Sequence, residues 1–225
     1  MTEQHTLAHT FNVYIPRDRR QALLLGETLP DRTHGSALFA DISGFTPLTA
    51  ALARALGPRL GAEELTHQLN QVYDALIAEV ECYGGSVIGF AGDAITCWFT
   101  GDAPDASLRA TACAFAMQQA MQQFASVSLP GGETVALAMK ASIASGPARR
   151  FLVGNPDVQY IDALAGETLE RMAAAEHLAN RGEVLADRQT VTALGDVVQV
   201  REWRMAEGDG DSFAVVERLH RALEE

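Results

Sequence analysis

Two rhythms of apolar positions alternate along the chain and lay out its elements. The continuous run "SALFAD" at 36–41 predicts a buried strand. Thr46 ahead of Pro47 marks a helix start, because threonine caps free amides and proline has no amide to lose at the first helical position. That helix is expected to end near Leu56, before Gly57 and Pro58. Leu65, Leu69, Val72, Leu76, Val80 and Tyr83 follow at spacings of 4, 3, 4, 4 and 3, one face of a helix from about Ala62 to Tyr83 that Gly84 and Gly85 stop. "SVIGFAGDAITCWF" holds two β-rich runs about Gly92 and Asp93, the composition of a tight hairpin.

Further along, the Ala- and Gln-rich stretch from Pro104 to Ala125 predicts a helix, and "LPGGE" leads into a strand from Val135 to Ala144. Two short β segments are expected between Phe151 and Ile161. A helix from Gly166 to Asn180, a strand from Glu183 to Ala186, and a closing pair, Val197 to Trp203 with Phe213 to Val216, complete the series. Residues 1–34 mix charge and proline as an N-terminal extension, with a short helix from Arg17 to Leu25. This order predicts one α/β sandwich, helices packed on a sheet.

Composition narrows the picture. With 225 residues and 48% hydrophobic content the chain can bury a real core. A formal net charge of −12 excludes a broad basic surface for nucleic acid. Cys82, Cys97 and Cys113 match no metal or redox spacing and are read as buried thiols of a reducing cytosol. No apolar run approaches the roughly 20 residues of a membrane helix, so the expectation is a soluble, cytoplasmic chain without a membrane segment. The six histidines show no paired metal spacing, and "EWRMAEGDGDS" is read as a solvated turn because it lacks the spacing of a calcium loop. Trp98 and Trp203 are expected in the core or an interface.

Candidate chemistry centres on two aspartates. Asp41 ends the first strand and Asp93 sits in the hairpin turn; if the hairpin pairs beside that strand, both carboxylates leave the same sheet edge. Carboxylates brought together repel unless a cation lies between them, and Mg²⁺ or Mn²⁺ suits hard oxygen donors. Each also has a local alternative: Asp41 as the cap of a turn, Asp93 as ordinary hairpin chemistry. The Ser-Gly turn of "ISGFT" adds backbone amides for an anion beside Asp41.

"LFADISGFTPLT", followed about fifty residues later by "YGGSVIGFAGDAITCWF", resembles the class III nucleotidyl cyclase catalytic domain, over about Ala37 to Asp187. The layout is similar to the first, metal-binding half of soluble adenylyl cyclase-like proteins. The resemblance implies a ferredoxin-like α/β fold, a mostly antiparallel sheet with helices packed on it, occupying residues 35–225. It implies that Asp41, Asp93 and the Ile42 carbonyl hold two Mg²⁺ or Mn²⁺ ions, and that Ser43, Gly44, Phe45 and Thr46 hold phosphates through their amides. Lys140 would reach the terminal phosphates, although as a lone residue it also suits an ordinary strand-edge charge. Asp41 and Asp93 would then be the catalytic pair that turns ATP, or another nucleoside triphosphate, into a 3′,5′-cyclic nucleotide and pyrophosphate.

Departures from the family pattern fall in the complementary half-site. Gly89 stands where the family has its purine-reading lysine, and Ala163 where it has the companion selector, with Asp162 one position off. Glu170 and Ala174 replace the asparagine and arginine that brace the ribose and α-phosphate. The expected partner is therefore a second, unlike cyclase domain. Two alternatives stay open: a catalytically silent, dimerising regulatory module, and a weakly active homodimer using manganese in which water or Arg149 and Arg150 stand in for the missing groups.

Overall fold

The computed structural model describes residues 15–130, 132–155, 159–206 and 210–220. Its elements run α1 (Arg17–Leu25), β1 (Arg32–Ser43), α2 (Phe45–Leu56), α3 (Pro58–Cys82), β2 (Ser86–Ala91), β3 (Ala94–Thr100), α4 (Ala103–Ala120), β4 (Val127–Ser128), β5 (Thr134–Val135), β6 (Ala138–Asn155), β7 (Gln159–Ala165), α5 (Glu167–Leu178), β8 (Val184–Asp187), α6 (Arg188–Leu194), β9 (Val198–Met205) and β10 (Ser212–Leu219). The main sheet has the order β2-β3-β1-β6-β8-β10-β9, with β7 on the far end of β6. All its pairings are antiparallel except β6 with β8. It is the mixed α/β architecture expected.

Strand alternation separates two faces. Leu38, Ala40 and Ile42 of β1, Ile95, Cys97 and Phe99 of β3, and Met139, Ala141 and Ile143 of β6 pack with Leu48 and Leu52 of α2, Val72, Leu76 and Val80 of α3, and Ala110 and Met117 of α4. The opposite face carries Ala37, Trp98 and Ala144 against Met172 of α5. Helix α5 covers only part of that face, and the strip toward β2 is open: Phe39 and Ile88 are half-buried and Phe90 is exposed. Asp41 lies on this second, partly open face, because its side-chain parity is that of Ala37 and Phe39.

Several elements differ from expectation for physical reasons. The expected strand from Val135 to Ala144 and the first of the two short β segments are a single 18-residue strand, β6, while Val135 joins the separate β4–β5 ladder. Pro147 does not break β6, because β8 pairs only with Ala141–Ile143 and β7 starts at Arg149, so the edge away from β1 is open there and no ladder bond is lost. Helix α3 starts at Pro58, with only Gly57 between it and α2. The unanticipated α6 is nucleated by Asp187, whose side chain accepts from the Thr190 amide at 2.8 Å. Cys97 and Cys113 are buried as expected but Cys82, the last residue of α3, is exposed. Trp98 is buried, whereas Trp203 is 43% exposed beneath the Arg188 guanidinium. The acidic turn falls partly outside the described residues.

Candidate active site

Asp41 stands in β1 between Ala94 of β3 and Lys140 of β6. One residue on, the Ile42 amide donates to the Asp93 carbonyl at 3.3 Å, tying the β2–β3 turn to the end of β1. Tyr73 of α3 braces the same turn: its hydroxyl donates to the Gly92 carbonyl at 3.1 Å and its ring meets Phe90 edge-on at 5.1 Å. The hairpin thus brings Asp93 to Asp41 although 52 positions separate them in the chain. Burial is the largest influence on Asp41 and raises its pKa; Lys140 opposes it, while the Asp93 and Glu176 carboxylates push it up further. Tyr73 is raised too, by burial and then by Asp93.

Among the described residues no group of three or more His, Cys, Asp or Glu side chains could cage a metal ion. Asp41 and Asp93, with the nearby Ile42 carbonyl, are the oxygen donors present, and one or two carboxylates is the set with which Mg²⁺ sits beside substrate phosphates. Two carboxylates and a carbonyl could hold such an ion only if a ligand completed its oxygen shell.

The "ISGFT" turn is built around Gly44. Its φ of 110° lies in the left-handed region, and a methyl there would stand 2.5 Å from the Ala136 carbonyl oxygen, so only glycine fits. Ser43 closes β1, and its hydroxyl donates to the Ala138 carbonyl at 3.2 Å. Helix α2 begins at Phe45 with Gly44 as its N-cap and no side-chain cap. The expected capping role of Thr46 is thereby corrected: the close approach of Gly44 to Ala136 sets the turn one residue earlier, placing Thr46 and Pro47 inside the first turn. Phe45 is buried in the core and Thr46 is exposed. What this terminus offers an anion is backbone amides and the positive end of the helix dipole.

Lys140 is drawn to Glu176 of α5, a residue that sequence reasoning missed. Its ammonium is 2.6 Å from Glu176 Oε1 and 3.7 Å from Asp41 Oδ2, and it also donates to the Glu176 main-chain carbonyl at 3.3 Å. Nothing local in "ERMAAAEHL" marks Glu176; only the packing of α5 across the sheet brings it there.

At the complementary positions the chain is differently equipped. Gly89 follows a bulge between β2 and β3, and a Cβ there would meet nothing within 4 Å. Asp162 is buried, and its carboxylate receives two bonds from Arg150, at 2.7 and 2.9 Å, and one from Arg19 at 2.8 Å. Arg150 also holds both carboxylate oxygens of Asp18. Asp162 and Ala163 are neighbours in β7, so their side chains leave opposite faces, and Asp162 is held with Arg150 and α1. Arg150 has no free hydrogen-bonding edge for phosphate, which removes it as a stand-in in a homodimer. Arg171 is likewise engaged, donating to Asp187 at 2.8 Å and to the Ser145 carbonyl at 2.9 Å. Glu170 is exposed and Ala174 partly buried on α5.

No family model matches the chain. Adenylate cyclase type 10 of Rattus norvegicus is 36% identical over 78 residues, 32% of this chain, and that of Homo sapiens is 40% identical over 65 residues, 29% of it. The chain spans only about 5% of the length of these curated relatives. The adenylyl cyclase CyaB from P. aeruginosa superposes with a TM-score of 0.71 at 23% identity, over 86% of this chain and 98% of that one. The guanylate cyclase domain of RhGC from Catenaria anguillulae, solved in complex with GTP, gives 0.68 at 16% identity over 84% and 100%. The chain has the fold of the class III adenylyl and guanylyl cyclase catalytic domains.

Proposed function

We propose that this chain is the metal-contributing half of a nucleotidyl cyclase, converting ATP to 3′,5′-cyclic AMP and pyrophosphate together with a second, unlike cyclase domain. The observation that carries the reading is the junction of Asp41 and Asp93, fastened by the Ile42–Asp93 hydrogen bond at the mouth of an uncapped helix. Asp41, Asp93 and the Ile42 carbonyl would hold two Mg²⁺ or Mn²⁺ ions. Bound there, such ions supply a lowered pKa for the ribose 3′-hydroxyl and neutralisation of the triphosphate. The amides of Ser43, Gly44, Phe45 and Thr46 receive phosphate oxygens, and Lys140 adds a positive charge beside them. In the overall change the 3′-oxygen bonds to the α-phosphorus, its proton leaves to solvent, and the bond from the α-phosphorus to the bridging oxygen breaks to release pyrophosphate. No side-chain nucleophile takes part.

An unlike partner is favoured because Gly89, Ala163, Glu170 and Ala174 lack the base-reading and bracing groups, and Arg150, Arg171 and Asp162 are committed elsewhere. The open strip beside Asp41 and the exposed apolar Phe151, Val153 and Ile161 of the β6–β7 arm are the surfaces such a partner would cover. Those same absences suit a silent regulatory module, so the test must read binding. With Mn²⁺ and a non-hydrolysable ATP analogue the melting temperature should rise, since a ligand of the folded state stabilises it by mass action. Asp41→Ala should abolish that rise. An equal rise in the variant overturns the metal-site reading, and no rise in the wild type favours the silent module. For the described residues no helix is long and apolar enough to cross a membrane.

A further inference from the structure

We infer that Glu176 is a positioning residue for the cation site: by holding the Lys140 ammonium on its own carboxylate, it keeps that charge from closing on Asp41 and leaves Asp41 to an incoming divalent ion. The inference rests on the metal-site reading and assigns it a further residue. Asp41 and Lys140 are directly opposed across the β1–β6 ladder, a pairing in which oppositely charged side chains ordinarily join each other. Here the ammonium is displaced toward α5, at 2.6 Å from Glu176 against 3.7 Å from Asp41. The Glu176 main-chain carbonyl takes a second bond from it at 3.3 Å, fixing its direction. The side chains of Asp41, Lys140 and Glu176 retain 27%, 21% and 19% exposure, so the three charges act on one another with less screening than at an open surface.

Charge arithmetic supports the arrangement. Asp41, Asp93 and Glu176 carry three formal negative charges against the one positive charge of Lys140, so the cluster keeps net negative charge with which to draw in a divalent ion. Without Glu176, Lys140 would neutralise Asp41 and its ammonium would repel the ion. His177, whose Nδ1 lies 3.4 Å from Glu176 Oε2, is the other basic group facing this carboxylate, but it is 81% exposed and cannot replace the lysine.

The test is calorimetric titration of the full chain with Mn²⁺ alone. Glu176→Gln should weaken Mn²⁺ binding about tenfold, Lys140→Met should tighten it several-fold, and the double variant should bind about as tightly as Lys140→Met, because Glu176 acts through the lysine and the two effects are then non-additive. Glu176→Asp should recover part of the loss. Opposite signs for the two single variants are a result that a merely structural pairing would not give. The inference falls if Glu176→Gln binds like the wild type, or if Lys140→Met weakens binding as much as Glu176→Gln. Asp41→Asn separates the two levels: a wild type that takes up Mn²⁺ only when Asp41 is intact, with Glu176→Gln unchanged, sinks this inference alone, whereas no Mn²⁺ uptake by the wild type sinks the metal site with it.

Discussion

Asp41 and Asp162 are both strand aspartates facing a basic residue of β6, and their surroundings push them in opposite directions. Around Asp41 negative charge is in excess: Lys140 is shared with Glu176, Asp93 stands close, and the pKa is raised, burial first. Around Asp162 cations are plentiful. Burial alone would raise it, but the hydrogen bonds and charges of Arg150 and Arg19 together hold it below the ordinary carboxylate range. A carboxylate left short of positive charge is prepared for a ligand, whereas one fully matched holds the fold together. Net neutrality among Asp18, Arg19, Arg150 and Asp162 marks the second cluster as a brace between α1 and the β6–β7 arm.

That contrast predicts unequal responses to mutation. The largest is for Arg150→Met, which leaves the buried Asp162 with Arg19 as its one remaining cation and should lower unfolding stability by about 3 kcal/mol in a denaturant titration. If the loss is below about 1 kcal/mol, the brace is not structural. Asp41→Asn should leave stability the same or raise it by up to about 1 kcal/mol while abolishing the Mn²⁺ response, the trade expected where a site is built against stability. A large destabilisation would make Asp41 part of the framework instead.

Acid should sharpen the same comparison. Asp162, with its folded pKa depressed, contributes stability that is present above its unfolded pKa of about 3.8 and is lost as pH falls through the lower folded value. Asp41, with its folded pKa raised, works the other way: its contribution is complete below about 3.8 and is lost as pH rises through the folded value. In a stability profile against pH, Asp41→Asn should therefore remove a gain seen on mild acidification, and Asp162→Asn a loss seen at lower pH. Smallest of all is Gly89→Lys, which points into open space and should change stability by less than about 0.5 kcal/mol. A greater change would mean that position 89 is packed rather than free.

How much of this was legible in the sequence divides along the same line. The Asp41 and Asp93 motifs are short, each set by its own strand end or turn, and the apolar run before Asp41 announced the strand that carries it. The face of α3 that meets the sheet, with Val72, Leu76 and Val80, also followed from periodicity. Glu176, Tyr73 and the partners of Arg150 were not legible, because each acts on a residue 12 to 132 positions away and leaves no local pattern. Continuity of β6 was hidden by Gly146 and Pro147, which read as a break until the unpaired edge beside them is known. Thr46 shows the reverse error: a good local capping signal was overruled by the backbone contact at Gly44.

Lys140 and Arg150 belong to one strand, separated by an even number of positions and therefore facing the same way. Ten residues of extended chain put them about 33 Å apart. A slip of β6 by a single residue against β1 would turn Lys140 inward to the apolar layer of Met139 and Ala141 and at the same time carry Arg150 off Asp162 and Asp18 to the exposed face. Misalignment of this ladder thus carries a double penalty, and the correct pairing is enforced simultaneously from both ends of the strand.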